Sequence, residues 1–442
     1  MGTSRRNFLK VGVGGLGMIS LGGSIPAFMS KFAFADESAG TKISGDNILV
    51  VIQLSGGNDG LNTVIPRTVD AYYKARPGIG IKDKLLKLDD ALSLNPGMTP
   101  FKEMFDDGQL AIINGCGYPE PNRSHFRSME IWQTADPAKY EPTGWLGHYV
   151  DHVLRGTEGL LKAVNIGPEL PQALVADHEV VPSIQSIDDF RIRTDPNTSF
   201  DAKMEEDIIR RLNAVKDTTP AMQYLSRQAT DAIIDTDQIR KVTSGYKPDA
   251  EYPYNLGQSL KLIAQLISGE LGTKLFYCQT GGFDTHANQV GQHERLLNNI
   301  AASIQAFYKD LKAKGYENKV TVMCFSEFGR RLAQNNSQGT DHGAAAPMFV
   351  AGGAIKGGLY GSYPSLADLD DGDVKYTTDF RAVYATLLDK WLNCDSDPVL
   401  KSHYDHLAFL GPVDKDRQRN GGTGAPKTKG QGADETKMMM QG

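Results

Sequence analysis

Apolar residues in this chain gather in short, near-continuous runs separated by stretches of helical periodicity. The runs are NILVVIQL (Asn47–Leu54), QLAIING (Gln109–Gly115), KAVNIG (Lys162–Gly167), KLFYCQT (Lys274–Thr280), KVTVMCFS (Lys319–Ser326) and PMFVAGG (Pro347–Gly353). Runs this short, without polar alternation, read as strands buried on both faces of a parallel sheet. Between them, Leu296, Leu297, Ile300, Ile304, Phe307 and Leu311 recur at helical spacing from Gln292 to Lys312. Phe380, Val383, Tyr384, Leu387, Leu388 and Trp391 do the same from Asp379 to Leu392. Alternating strands and helices predict a doubly wound α/β/α sandwich around a mostly parallel central sheet. In such a sheet the chemistry lies at the carboxyl ends of the strands. Residues 200–271 are mostly polar with helical patterning, which predicts a helical insertion or cover. Residues 413–442 are glycine-rich and charged, with almost no large apolar side chains, which predicts a disordered tail. No internal repeat is visible.

The opening departs from this pattern. Ser4, Arg5, Arg6, Asn7, Phe8, Leu9 and Lys10 fit the twin-arginine export pattern S-R-R-x-F-L-K. A glycine-rich, weakly apolar stretch follows, and Ala33-Phe34-Ala35 supplies an A-x-A cleavage site. Residues 1–35 therefore read as a signal peptide, and 36–412 as one α/β domain. The stretch is too short and too rich in glycine for a stable span, which needs about 20 apolar residues. The expected address is the periplasm or the outside of the cell, with the twin-arginine translocase as the partner in export. Cleavage removes four basic residues and no acidic ones, taking the formal charge from −6 to −10. A chain this acidic is a poor match for nucleic acid or an anionic membrane surface. Cys116, Cys278, Cys324 and Cys394 are too few for a disulfide scaffold. In a chain exported already folded, free buried thiols are expected.

Candidate chemistry follows the strands. Ser55-Gly56-Gly57-Asn58-Asp59-Gly60 is a flexible turn with one carboxylate, and it matches no nucleotide fingerprint. After the second run, Ser124 stands where a helix begins: an N-cap, or a hydroxyl placed as nucleophile at the positive helix end. Arg123 and Arg127 flank it, as grips for an anion or as solvated surface arginines. His125 beside them reads as a ligand, an acid/base group or a bystander. Asp284 and His286, two apart on a loop past a buried strand, have the look of metal ligands. Glu327 ends a strand, where a carboxylate needs a metal or a partner such as Arg330 or Arg331. Asp341 and His342 are two ligands, or one ligand and the group that orients it. Carboxylates and imidazoles together suit one or two divalent ions, Zn²⁺ or Mn²⁺ rather than Ca²⁺. Such a site activates a hydroxyl and neutralises a transferring phosphoryl or sulfuryl group.

SGGNDGLNTVIP, NPGMTPFKEMFDDGQLAIINGCGYPEPNRSHFRSMEIWQTA, GWLGHYVD, GGFDTH, SEFGRR, TDHGAAAPMFVAGG and GGLYG together resemble the bacterial family known as domain of unknown function 1501. The resemblance spans roughly Asn47 to Gly411. That family is grouped with the alkaline phosphatase superfamily, which includes sulfatases and phosphodiesterases. The resemblance implies a bimetal site at a central sheet and a Ser or Thr nucleophile capping a helix. By position, Asp59 matches the carboxylate after the first strand, Ser124 the nucleophile, and Asp284 and His286 one metal's ligands. The superfamily's Ser/Thr-Asp-His-Gly element matches TDHG (Thr340–Gly343) by letters and SEFG (Ser326–Gly329) by context. The second alignment is preferred. It puts Glu327 in place of Asp and Phe328 in place of His, and makes His342 the later histidine of the first metal. Asp284-x-His286 is tighter than the superfamily's usual spacing.

The expectation is an exported metal-dependent hydrolase of small anionic phosphate or sulfate esters. The alternative is a degenerate member that binds or assembles in the cell envelope without turnover.

Overall fold

In the computed structural model the described residues are 46–155, 157, 161–187 and 239–410. The signal peptide, the tail and residues 200–238 of the expected insertion lie outside them.

A nine-stranded sheet forms the centre. Its strands are β1 (Ile48–Leu54), β2 (Leu110–Gly117), β3 (Ala163–Ile166), β4 (Ser183–Ile184), β5 (Leu275–Thr280), β6 (Val320–Ser326), β9 (Ala346–Ala351), β10 (Gly358–Tyr360) and β13 (Thr378–Asp379). A small three-stranded antiparallel sheet (Val64–Pro66, Leu86–Lys87, Leu92–Leu94) and two hairpins lie off it, the hairpins being β7 (Arg330–Gln334) with β8 (Thr340–His342), and β11 (Leu369–Asp370) with β12 (Asp373–Val374). The sheet runs β10-β2-β9-β6-β1-β5-β3-β4, and β13 also pairs with β2. All pairings are parallel except those of β9, which is antiparallel to both β2 and β6. Its PMFVAGG run reads like the others because it too is buried on both faces. Its direction follows from its connection. A hairpin, not a crossover helix, links β6 to β9, so the chain returns beside the strand it left.

Alternate residues of β1 serve opposite cores. Val50, Ile52 and Leu54 face a cluster shared with α1 (Thr99–Asp106), α3 (Tyr254–Ser268) and α4 (Gln289–Ala313). Leu49 and Val51 face a second cluster with α2 (His125–Thr134) and α5 (Phe380–Thr386). A strand covered on both faces has no place for alternating polar residues, which is why the runs are continuous. The four cysteines are free and buried.

The last part of the expected insertion is helical. Tyr254–Ser268 is a helix of the core, with Leu256, Leu260, Ile263 and Ile267 buried along one stripe. Its polar residues, among them Gln258 and Lys261, fall between these anchors, which is the ordinary composition of a helix packed on one side.

Candidate metal centre

The carboxyl ends of β1, β5 and β6 lie side by side in the sheet. Their loops bring Gly56–Gly57, Asp284–His286 and Glu327 to one place. His125 opens α2, and His342 ends β8 directly across from Arg330 on β7. His125, Asp284 and His342 each offer a ligand atom within 4.8 Å of the others. His286 joins them, its Nε2 2.9 Å from both Asp284 Oδ1 and His342 Nε2. His342 Nε2 is 3.1 Å from Asp284 Oδ1, and His125 Nε2 is 3.6 Å from Asp284 Oδ2.

Each imidazole is held from behind by its other nitrogen. His342 Nδ1 is 2.8 Å from the carbonyl oxygen of Arg123, which only accepts, so Nδ1 carries the proton and Nε2 presents a lone pair. His125 Nδ1 lies 2.9 Å from Glu327 Oε1. His286 Nδ1 lies 3.4 Å from Asp341 Oδ1, which Asn335 also binds. Three rings anchored at Nδ1 and turned by Nε2 toward one carboxylate form the arrangement that metal-ligating histidines adopt.

The floor is buried and charged. Glu327 is 1% exposed and accepts from Gly56 N at 2.7 Å as well as meeting His125. Arg330, also 1% exposed, reaches Asp284 Oδ1 at 2.7 Å. Its other contacts are the carbonyls of Gly56, Gly57, Phe283 and Thr340 and, at 3.4 Å from Nη1, His286 Nε2, so it ties the loops after β1 and β5 to the hairpin. Partial burial pushes the Asp284 carboxyl up. A hydrogen bond from Arg330, with its positive charge, outweighs this and holds it down at about 2. Gly56 and Gly57 have φ of 119° and 78°. A Cβ on Gly56 would stand 2.4 Å from Asp284 N, and one on Gly57 2.2 Å from the Phe328 ring. The double glycine is thus needed for the β1 loop to pack under the cluster. Beside the cluster runs an open cleft of about 480 Å³, with His125, Glu327, Gly56, Gly282 and Phe126 on its walls.

The structure places the sequence candidates unevenly. His125, Asp284, His286 and His342 converge; Glu327 and Asp341 stand behind His125 and His286. Asp59 is not part of the cluster. It is fully buried, forms an ion pair with Arg76 at 2.7 Å and accepts from Gln289. It also caps the Gly60–Thr63 turn. Arg76 Nε and Nη2 bind the carbonyls of Leu332 and Arg331, so the pair fastens the first turn to the hairpin. Arg127 turns away: it pairs with Glu130, binds the carbonyls of Pro137 and Lys139, and lies over Tyr140. Arg123 spends its guanidinium on Asp371 and Asp373. Glu327 takes neither Arg330 nor Arg331 as its partner; Arg330 serves Asp284, and Arg331 meets Asp371 and Asp373. Ser124 is at the N-cap of α2 but makes no capping hydrogen bond, and it is exposed. Phe328 is buried with its ring 4.7 Å from that of His342 and 5.0 Å from that of His125. Arg76, Asp371 and Asp373 were invisible as site-supporting residues from sequence, because their partners are fixed only by the fold.

The class this defines is an α/β/α sandwich carrying an imidazole–carboxylate cluster at the carboxyl edge of a mostly parallel sheet. Residues 46–407 match the family described as protein of unknown function DUF1501, and the chain belongs to it. No curated protein matches its sequence. Solved structures similar to it include an alkaline phosphatase superfamily protein from Vibrio parahaemolyticus, at 8% identity and a TM-score of 0.36, covering 87% of this chain and 77% of that one. The PsFucS1 sulfatase from Pseudoalteromonas sp. is 12% identical, with a TM-score of 0.37 and coverage of 87% and 75%. Alkaline phosphatase from the Antarctic bacterium TAB5 is 11% identical, with a TM-score of 0.28 and coverage of 72% and 94%.

Proposed function

We propose that the chain is an exported, metal-dependent hydrolase of phosphate or sulfate esters, with Ser124 as nucleophile. The observation that carries this reading is the set of three imidazoles anchored at Nδ1 and directed by Nε2 at Asp284. That donor set fits a divalent ion. His125, Asp284, His286 and His342 would hold it, and a nitrogen-rich set favours Zn²⁺ or Mn²⁺ over Ca²⁺. Such an ion supplies positive charge that favours an ionised hydroxyl and offsets the charge of an anionic ester.

The chain's own residues account for the rest. Asp284 stays ionised across the working range of pH, so the cluster keeps its negative charge. Glu327 keeps His125 oriented. Ser124 lies between Arg123, whose carbonyl orients His342, and His125 itself. Its hydroxyl is not spent on capping, and it sits at the positive end of a ten-residue helix, where developing negative charge is favoured. The open cleft beside His125 gives a small ester room to enter. The twin-arginine pattern of residues 4–10 supports export to the periplasm or beyond, through the translocase. Among the described residues no helix is long and apolar enough to cross a membrane.

Replacing Ser124 by Ala tests the nucleophile. Turnover across a panel of phosphate and sulfate monoesters and diesters should fall to the background rate while metal content stays that of the wild type. Unchanged turnover would remove Ser124 from the mechanism.

One observation favours a second reading, a binding factor without turnover. Phe328 packs against His125 and His342, and Arg330 occupies one oxygen of Asp284, which leaves the cluster room for a single ion rather than two. Bound metal with no turnover of any ester in the panel would support it.

A further inference from the structure

We infer that Arg123 is a positioning residue and that the β11–β12 turn is the clamp that sets it. This rests on the reading of His342 as a cation ligand. On the side away from Asp284 and His286, His342 is held at Nδ1 by the carbonyl of Arg123 at 2.8 Å. That carbonyl belongs to the irregular segment before α2, so something must fix it. The Arg123 side chain does so. Its Nε donates to Asp373 Oδ2 at 2.8 Å, and Nη1 and Nη2 each donate to Asp371 Oδ2 at 3.1 Å.

The two carboxylates are presented by a tight turn. Asp371 and Gly372 have φ of 49° and 83°, and β11 and β12 pair antiparallel on either side. Positive φ at both central residues is the geometry of a two-residue hairpin turn, which twists with its strands and fixes the direction of the side chains it carries. Asp373 is 3% exposed, so its bond to Arg123 is shielded from water and salt far better than a surface pair.

The same turn grips the other side of the site. Arg331 Nη2 donates to Asp371 Oδ2 at 3.2 Å, and its Nε lies 3.5 Å from Asp373 Oδ1. Leu332 N donates to the carbonyl of Gly372. Arg331 and Leu332 lie on β7, the strand that pairs with β8 and so carries His342. One turn therefore holds both the carbonyl that orients the imidazole and the hairpin from which the imidazole projects. Planar guanidinium groups suit this role because each spans two acceptors at once.

The test is the tautomer of His342 in the metal-free full chain, read by ¹⁵N–¹H long-range NMR of histidine-labelled protein and assigned by the signal lost in His342→Gln. Wild type should show the Nδ1–H form. Asp371→Asn/Asp373→Asn should shift His342 toward Nε2–H while His148, buried outside the cluster between Thr143 and the carbonyl of Val399, keeps its wild-type signals. Zn²⁺ affinity should fall about 10–100-fold, the usual effect of removing a group that orients a ligand. Arg123→Lys, which keeps the charge but not the bidentate contact, should fall between. A folded double variant with wild-type tautomer and wild-type Zn²⁺ affinity would overturn the clamp. Should the double variant fail to fold, Asp371→Asn alone decides it, since that side chain is 76% exposed. An altered tautomer there supports the clamp, and an unaltered one overturns it. If wild type binds no Zn²⁺, the metal reading falls by itself, and the tautomer still decides the clamp.

Discussion

Histidine 293 shows how much the site depends on what lies under it. It is fully buried on α4, with Nε2 2.8 Å from Asn58 Oδ1 and the ring edge-on to Phe283. Burial drives its pKa down to about 4; Asp59 opposes this, while Arg76 and Arg330 reinforce it. The unfolded chain, with an ordinary value of about 6.5, then binds more protons than the folded one between pH 6.5 and pH 4. Stability is therefore complete above pH 6.5 and is lost as pH falls through that window, by about 3 kcal/mol at most. Urea unfolding at pH 7 and pH 4.5 should show this loss, and His293→Gln should flatten it. Equal slopes in both proteins would mean that His293 is not the group responsible. Asp59 belongs to the same layer. Its buried pairing with Arg76 makes it a fastener of the β1 turn, since a buried carboxylate is tolerated where a cation and hydrogen bonds meet it.

At the scale of elements, the site is assembled by parts that share few local contacts. β1, β5 and β6 supply the floor, α2 supplies His125, and the β7–β8 hairpin supplies His342. α3 sits on the far side of the sheet from α2 and contributes to the core that keeps those strand ends in register. Leu260 on α3 is completely buried there. Leu260→Ala should cost about 2–5 kcal/mol, as a large-to-small change in a packed core does. Denaturant titration checks it, and a loss below about 1 kcal/mol would place the helix outside the core as an appended cover. The hairpin plays a different part. Its register sets Arg330 against His342, so one residue of slip would turn both side chains to the opposite face and empty the cluster.

For the whole molecule, the sequence announces the strands more clearly than their partners. Continuous apolar runs draw attention to Asp284, His286 and Glu327, because a polar residue just past a buried strand is conspicuous, and to His342 just ahead of another run. The direction of β9 was not legible, since burial on both faces looks the same whichever way a strand runs. Nor was the fate of Asp59, whose partner Arg76 is close in sequence but meets it only because the hairpin carbonyls hold the guanidinium in place. Arg123 and Arg127 looked like anion grips by proximity to Ser124. Their carboxylate partners include Asp371 and Asp373, some 250 residues away, which no local pattern reveals. Charges find their partners through the tertiary fold, whereas burial leaves its trace directly in the run of residue types.

The central claim is that His125, Asp284, His286 and His342 hold a divalent ion. Elemental analysis of the purified chain, before and after exposure to Zn²⁺ or Mn²⁺ and removal of excess, tests it most directly. The account predicts a single tightly held ion per chain that is lost in a folded Asp284→Asn/His342→Ala variant. A chain that takes up neither ion, or a variant that holds it as well as the wild type, would contradict it.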